Sequence, residues 1–131
     1  MRPIKKVKRV AIVGLGLMGG SLALALKRVR PRWSLVACDQ PNVLDEASKR
    51  SLVDEAEADP RKAVRDADIV FLASPVETIA GHVRTLATAF GKGTVVTDMG
   101  STKRRIMKEA AALPEGVAFI GGHPMAGKAS S

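Results

Sequence analysis

Aromatic side chains are scarce: the 131 residues hold one Trp, three Phe and no Tyr. The core must therefore be built mostly from Val, Ile, Leu and Ala, and few rings are available to interleave with the basic residues as a nucleic-acid surface would require. Cysteine is scarcer still. Cys38 stands alone inside an apolar run, so no intrachain disulfide can form, and the thiol reads as a small buried hydrophobe in a reducing compartment. The chain also lacks repeats, low-complexity tracts and long linkers, and its length suits one domain with a real core. No metal site is expected.

Acidic residues are outnumbered, 13 against 21 Lys and Arg, for a net charge of +8. The basic residues are dispersed: Lys5, Lys6, Lys8 and Arg9, then Lys27, Arg28, Arg30 and Arg32, then Lys103, Arg104 and Arg105. Such a balance attracts anions. It reads first as solvated surface, second as help toward a dianionic small substrate, and not as a nucleic-acid site. Residues 10–26 carry no charge and follow a basic stretch, which mimics a signal peptide. The stretch is shorter than the roughly 20 residues of a membrane span. It also contains Gly14, Gly16, Gly19 and Gly20, which weaken an apolar helix. A strand, turn and helix explain those glycines, and a cytoplasmic protein without a membrane segment is expected.

Strand and helix patterns alternate along the chain. Strands are predicted at 7–13, 34–38, 69–73, 94–98 and 117–120, with a short one near 52–55. Helices are predicted at about 18–28, from an Asn42 cap to about 50, from Pro60 to near 66, from Pro75 to about 90, and from a Ser101 or Thr102 cap to Leu113-Pro114. Continuous apolar strands between helices imply an α/β fold of the doubly wound Rossmann type, its mainly parallel sheet covered on both faces.

In such sheets ligands bind beyond the carboxyl ends of the strands. Those ends carry Gly14-Leu15-Gly16-Leu17-Met18-Gly19, then Asp39, then Ser74-Pro75-Val76, then Asp98 through Ser101, then Gly121-Gly122-His123. A G-x-G-x-x-G motif alone is weak. Here it follows a strand, opens a helix, and has an acid, Asp39, 20 residues beyond Gly19. Gly14 would permit the tight turn, Gly16 the approach of backbone to a pyrophosphate, and Gly19 close helix–strand packing, with the helix N-terminus facing the phosphates. Asp39 would accept hydrogen bonds from the adenosine ribose. A 2′-phosphate there would meet like charge, so NAD is favoured over NADP. Arg28, Arg30 and Arg32 stand against that preference, because arginines can bind the phosphate. His123 is either a general base or a capping and turn residue. Ser101 either caps the next helix or bonds a ligand, and His82, within a predicted helix, reads as packed or solvated.

Gly14 through Ser21, Ala73-Ser-Pro-Val76, Asp98-Met-Gly-Ser-Thr-Lys103 and His123-Pro-Met-Ala-Gly127 together resemble the prephenate and arogenate dehydrogenases, over nearly the whole chain. The first motif is shared with many dehydrogenases; the Asp-x-x-Ser-x-Lys and His-Pro-Met-Ala-Gly pair is far more specific. The resemblance implies NAD-dependent oxidative decarboxylation of prephenate, or of its amino analogue arogenate, on the route to tyrosine. It implies His123 as the catalytic histidine and Ser101 as its helper near the substrate hydroxyl. It further implies a helical C-terminal domain, outside residues 1–131, that contacts the small-molecule substrate and makes a homodimer of the full-length protein. The 131 residues alone would then bind cofactor without turnover. One position departs from the pattern: Ala129 stands where the family commonly carries a glutamate. Two other readings are a different NAD(P)-dependent reductase of the hydroxyacid-dehydrogenase type and a non-catalytic nucleotide-binding module.

Overall fold

The computed structural model describes residues 7–73, 76–98 and 113–120, giving only the backbone at 17–18 and 76–80. Its elements run β1 (Arg9–Val13), α1 (Leu17–Val29), β2 (Ser34–Cys38), α2 (Pro41–Lys49), β3 (Glu55–Ala56), α3 (Pro60–Val64), β4 (Ile69–Leu72), α4 (Val76–Leu86), β5 (Val95–Asp98) and β6 (Ala118–Ile120). The strands pair in parallel in the order β3-β2-β1-β4-β5-β6. The chain starts mid-sheet, builds outward through β2 and β3, then returns to β1's other side. This is the doubly wound order expected from the sequence.

Burial on both faces explains why the strands read as continuous apolar runs. The pleat sends successive residues to opposite sides. Val10 and Ile12 of β1 join Leu35 and Ala37 of β2 beneath Ala23 of α1 and Leu44 and Ala47 of α2. Ala11 and Val13 join Val36, Val70 and Leu72 on the other face, against Ala63 and Val64 of α3 and Val83 and Leu86 of α4. Each fully buried Val, Ile or Leu contributes about 1.5–3 kcal/mol relative to an exposed one. The chain's four rings all join these layers, Trp33 and Phe71 on the first side and Phe90 and Phe119 on the second, and aliphatic side chains fill the rest.

Helix starts follow local chemistry. The expected Asn42 cap is corrected: Gln40 is the N-cap of α2 and Pro41 its first residue. Proline's fixed φ and missing N–H suit the first helical position, so the helix begins before Asn42. At α3, Asp59 caps and accepts a 3.0 Å bond from the Arg61 amide. The helix expected after Ser101 or Thr102 lies outside the described residues. Among the described residues no helix is long and apolar enough to cross a membrane.

Candidate functional site

The strand order reverses between β1 and β4, which are neighbours in register Val13↔Leu72. A crevice at the carboxyl ends of these two strands is where this topology places a ligand. The chain leaves β1 there through the glycine loop. The Gly14 amide donates to the Cys38 carbonyl at 2.8 Å, and the Ala73 amide donates to the Val13 carbonyl at 2.8 Å. Loop, β2 end and β4 end are thereby locked together.

The three glycines do three different jobs. Gly14 sits at φ +99°, a left-handed conformation that L side chains rarely adopt. A Cβ on Gly19 would fall on the Gly14 carbonyl oxygen and lie 2.9 Å from its carbonyl carbon, so helix and strand approach too closely for any side chain. A Cβ on Gly16 would meet nothing within 4 Å. That glycine leaves space open above the backbone, as an incoming pyrophosphate needs. Gly16 is also the N-cap of α1. It offers no side-chain acceptor to the first-turn amides, and that turn holds no acidic residue. Lys27 and Arg28 occupy the opposite end, where cations complement the helix dipole. Thirteen residues of aligned peptides thus present at the crevice a positive end with no cap or acid from the helix itself.

Leu15 turns its side chain into the core, 8% exposed, and contributes only backbone to the loop. Its amide donates to Asp39 Oδ2 at 2.6 Å, and the Gln40 amide donates to Asp39 Oδ1 at 2.6 Å. Asp39 follows the last residue of β2 and has no cation partner among the described residues. Beside it, burial and the charges of Asp39, Glu57 and Asp59 push the Cys38 thiol up to about 11. That keeps it protonated and inert, the buried hydrophobe the sequence suggested.

Leu17 and Met18 are the first residues of α1, and Val76 is the first of α4. Ser74, Pro75, Ser101 and His123 lie outside the described residues. Asp98, at the end of β5, is buried. His82 lies half-buried on α4 and burial lowers its pKa, in keeping with a packed residue. Arg28, Arg30 and Arg32 fall at the far end of α1 and before β2, at the sheet's amino edge. The helix carries Arg28 about 17 Å from its start, so these arginines do not accompany Asp39. Arg30 instead lies over the Trp33 ring, 5.8 Å from its centroid.

Sequence reasoning missed two further carboxylates. Asp68 accepts the Lys8 and Arg9 amides at 2.9 and 3.0 Å, and Asp54 accepts the Leu35 amide at 2.8 Å. Their partners are backbone groups, which leave no mark in a sequence; their positions beside strand starts were the only clue. Among the described residues no cluster of His, Cys, Asp and Glu could hold a metal ion.

Strand order, glycine loop and a helix start without a side-chain cap define a Rossmann-type nucleotide-binding domain. The family model for the nucleotide-binding domain of prephenate dehydrogenase matches residues 22–131, and the chain belongs to that family. A prephenate dehydrogenase of Lactococcus lactis is 39% identical over 128 residues, covering 95% of this chain and 36% of that protein. The chain therefore spans little more than a third of that relative's length. Among solved structures, A. aeolicus prephenate dehydrogenase in complex with hydroxyphenyl propionate and NAD+ matches with a TM-score of 0.81 at 30% identity, over 95% of this chain and 44% of that one. Synechocystis arogenate dehydrogenase matches with a TM-score of 0.78 at 37% identity, over 88% of this chain and 40% of that one.

Proposed function

We propose that this chain is the cofactor-binding part of an NAD-dependent dehydrogenase that oxidatively decarboxylates prephenate to 4-hydroxyphenylpyruvate in tyrosine biosynthesis. The observation that carries the reading is the glycine loop at the β1–β4 switch point, with Asp39 held against it. Backbone groups of Gly14, Leu15, Gly16, Leu17, Met18 and Gly19 would hold the pyrophosphate. Asp39 would accept the adenosine ribose hydroxyls and repel a 2′-phosphate, with no arginine of the 28–32 segment beside it to reverse that preference. Ser74, Pro75 and Val76 would flank the cofactor from the end of β4. Family membership and the NAD+ held by the A. aeolicus enzyme support NAD.

The nicotinamide, when bound, accepts the hydride. In this reading His123 takes the ring-hydroxyl proton, Ser101 hydrogen-bonds near that hydroxyl, and loss of carboxylate leaves an aromatic ring. The family carries these residues in matching motifs. A helical C-terminal domain beyond residues 1–131 would contact the substrate and form a homodimer, and the enzyme would work in the cytoplasm. The 37% identity to an arogenate dehydrogenase favours arogenate as the alternative substrate.

Steady-state kinetics of the full-length enzyme test the proposal, with prephenate, arogenate, NAD+ and NADP+ against wild type and His123→Asn. Loss of the general base should lower kcat on the order of 10²–10⁴-fold while NAD+ affinity stays nearly constant. Near-normal turnover of the variant would reduce His123 to a turn residue.

A further inference from the structure

Asp39 is more than an acceptor waiting for a ribose. An ionised carboxylate has about four lone-pair sites. Two are already used, one on each oxygen: Oδ2 by the Leu15 amide and Oδ1 by the Gln40 amide, both at 2.6 Å. Leu15 lies in the loop that leads into α1, and Gln40 is the N-cap of α2. The Gln40 side chain makes no capping bond, and the first turn of α2, like that of α1, holds no acid. One carboxylate therefore ties together the end of β2, the loop before α1 and the start of α2. Its negative charge lies near the positive ends of both helices, where the dipoles favour it. With both amide bonds in place, one lone pair per oxygen is left, which matches the two hydroxyls of a ribose.

We propose that Asp39 is a positioning residue, which holds the Gly14–Gly19 loop in its phosphate-binding conformation before and during nucleotide binding. The proposal rests on the nucleotide-site reading above and extends it from the ribose to the phosphates. Asparagine cannot replace the clamp. It has one acceptor oxygen, and its amide nitrogen would turn N–H toward a backbone N–H, so one of the two bonds is lost. Removing the charge to admit NADP+ would loosen the phosphate loop and weaken both dinucleotides.

The test separates the loop from the ribose. Calorimetric titration of the 131-residue chain uses ADP and 2′,3′-dideoxy-ADP, which keeps the diphosphate and lacks both ribose hydroxyls. The proteins are wild type, Asp39→Asn and Asp39→Ala, each checked for folding by circular dichroism. If Asp39 positions the loop, dideoxy-ADP affinity falls by roughly tenfold in the variants, the scale of one lost hydrogen bond to a charged group. If ADP weakens while dideoxy-ADP binds as it does to wild type, Asp39 serves the ribose alone and the proposal is overturned, with the nucleotide site intact. Failure of wild type to bind either ADP or NAD+ overturns the nucleotide reading and the proposal with it. A measurement on wild type alone guards against variants that do not fold. The Leu15 amide should exchange slowly with solvent in NMR, and exchange at the rate of an open loop amide overturns the clamp.

Discussion

The two edges of the sheet use one device to different ends. At the amino edge Asp68 accepts the Lys8 and Arg9 amides, and Asp54 accepts the Leu35 amide. At the carboxyl edge Asp39 accepts the Leu15 and Gln40 amides. In each case a short acid next to a strand captures backbone donors that the ladder leaves over. The surroundings differ. Amino-edge acids have cations: Lys27 lies 3.1 Å from Asp54, and Arg9 grips Glu55 through two bonds of 3.0 and 2.8 Å. Asp39 has no cation among the described residues; it faces the start of α1, which has no side-chain cap and no acid in its own first turn. Matched charge closes the amino edge, whereas the carboxyl edge keeps donors and acceptors in reserve for a ligand.

The sharpest test of that contrast lies within the glycine loop. Gly19→Ala puts a methyl on the backbone of Gly14, which cannot yield as a flexible side chain would. The variant should lose about 3 kcal/mol or more of stability, at or beyond the upper end of ordinary overpacking. Gly16→Ala meets nothing within 4 Å and should melt close to wild type, yet fill the space a pyrophosphate needs. Chemical denaturation and NAD+ titration of both variants would check this. Gly16→Ala binding NAD+ as wild type does would remove the functional half of the comparison.

Asp68→Ala probes the closed edge. Two backbone amides lose their acceptor, at a cost of about 1–3 kcal/mol in unfolding free energy. Nucleotide affinity of the folded variant should stay within about twofold of wild type. A tenfold loss of affinity, comparable to that expected for Asp39→Asn, would show that the edges are not separate in function.

The sequence exposed the sheet better than its rims. Strands 34–38 and 69–73 were legible because burial on both faces demands unbroken apolar runs, and their observed bounds are Ser34–Cys38 and Ile69–Leu72. The first strand is shorter than its apolar run suggests. It begins at Arg9 because the Lys8 and Arg9 amides turn to Asp68. The short strand expected at 52–55 is Glu55–Ala56, since Val53 is buried in the layer under α2 and Asp54 is caught on Leu35. The helix expected to reach 90 ends at Leu86, with Ala89 and Phe90 folding back onto the Leu86 carbonyl. At the site, Gly14, Gly16, Gly19 and Asp39 were readable from spacing alone, because turn geometry and βα length fix where they fall. The clamp through Leu15 was not, because a backbone amide has the same identity in every residue.

The smallest expected effect is the acid response of the amino edge. The Asp54 pKa is lowered by the Leu35 amide first and by Lys27 after it; the Glu55 pKa is lowered by its bonds to Arg9. A carboxylate with a depressed folded-state pKa contributes stability that is fully present above its unfolded value and is lost as pH falls through the folded one. That loss should begin near pH 4.5, the ordinary glutamate value, and deepen below 3.8, the ordinary aspartate value. Both side chains are largely exposed, so solvent and salt screen them, and exposed pairs typically contribute under about 1 kcal/mol. Glu55→Gln should therefore melt only slightly below wild type at pH 7. Its further drop between pH 7 and pH 3.5 should be smaller than that of wild type, because the titrating partner is gone. Added salt should narrow the wild-type difference, while NAD+ affinity at pH 7 stays unchanged. Equal pH responses in wild type and Glu55→Gln would mean that the Arg9–Glu55 pair contributes nothing to closing the amino edge, leaving that to Asp68 on its backbone amides and to Asp54 on the Leu35 amide and Lys27.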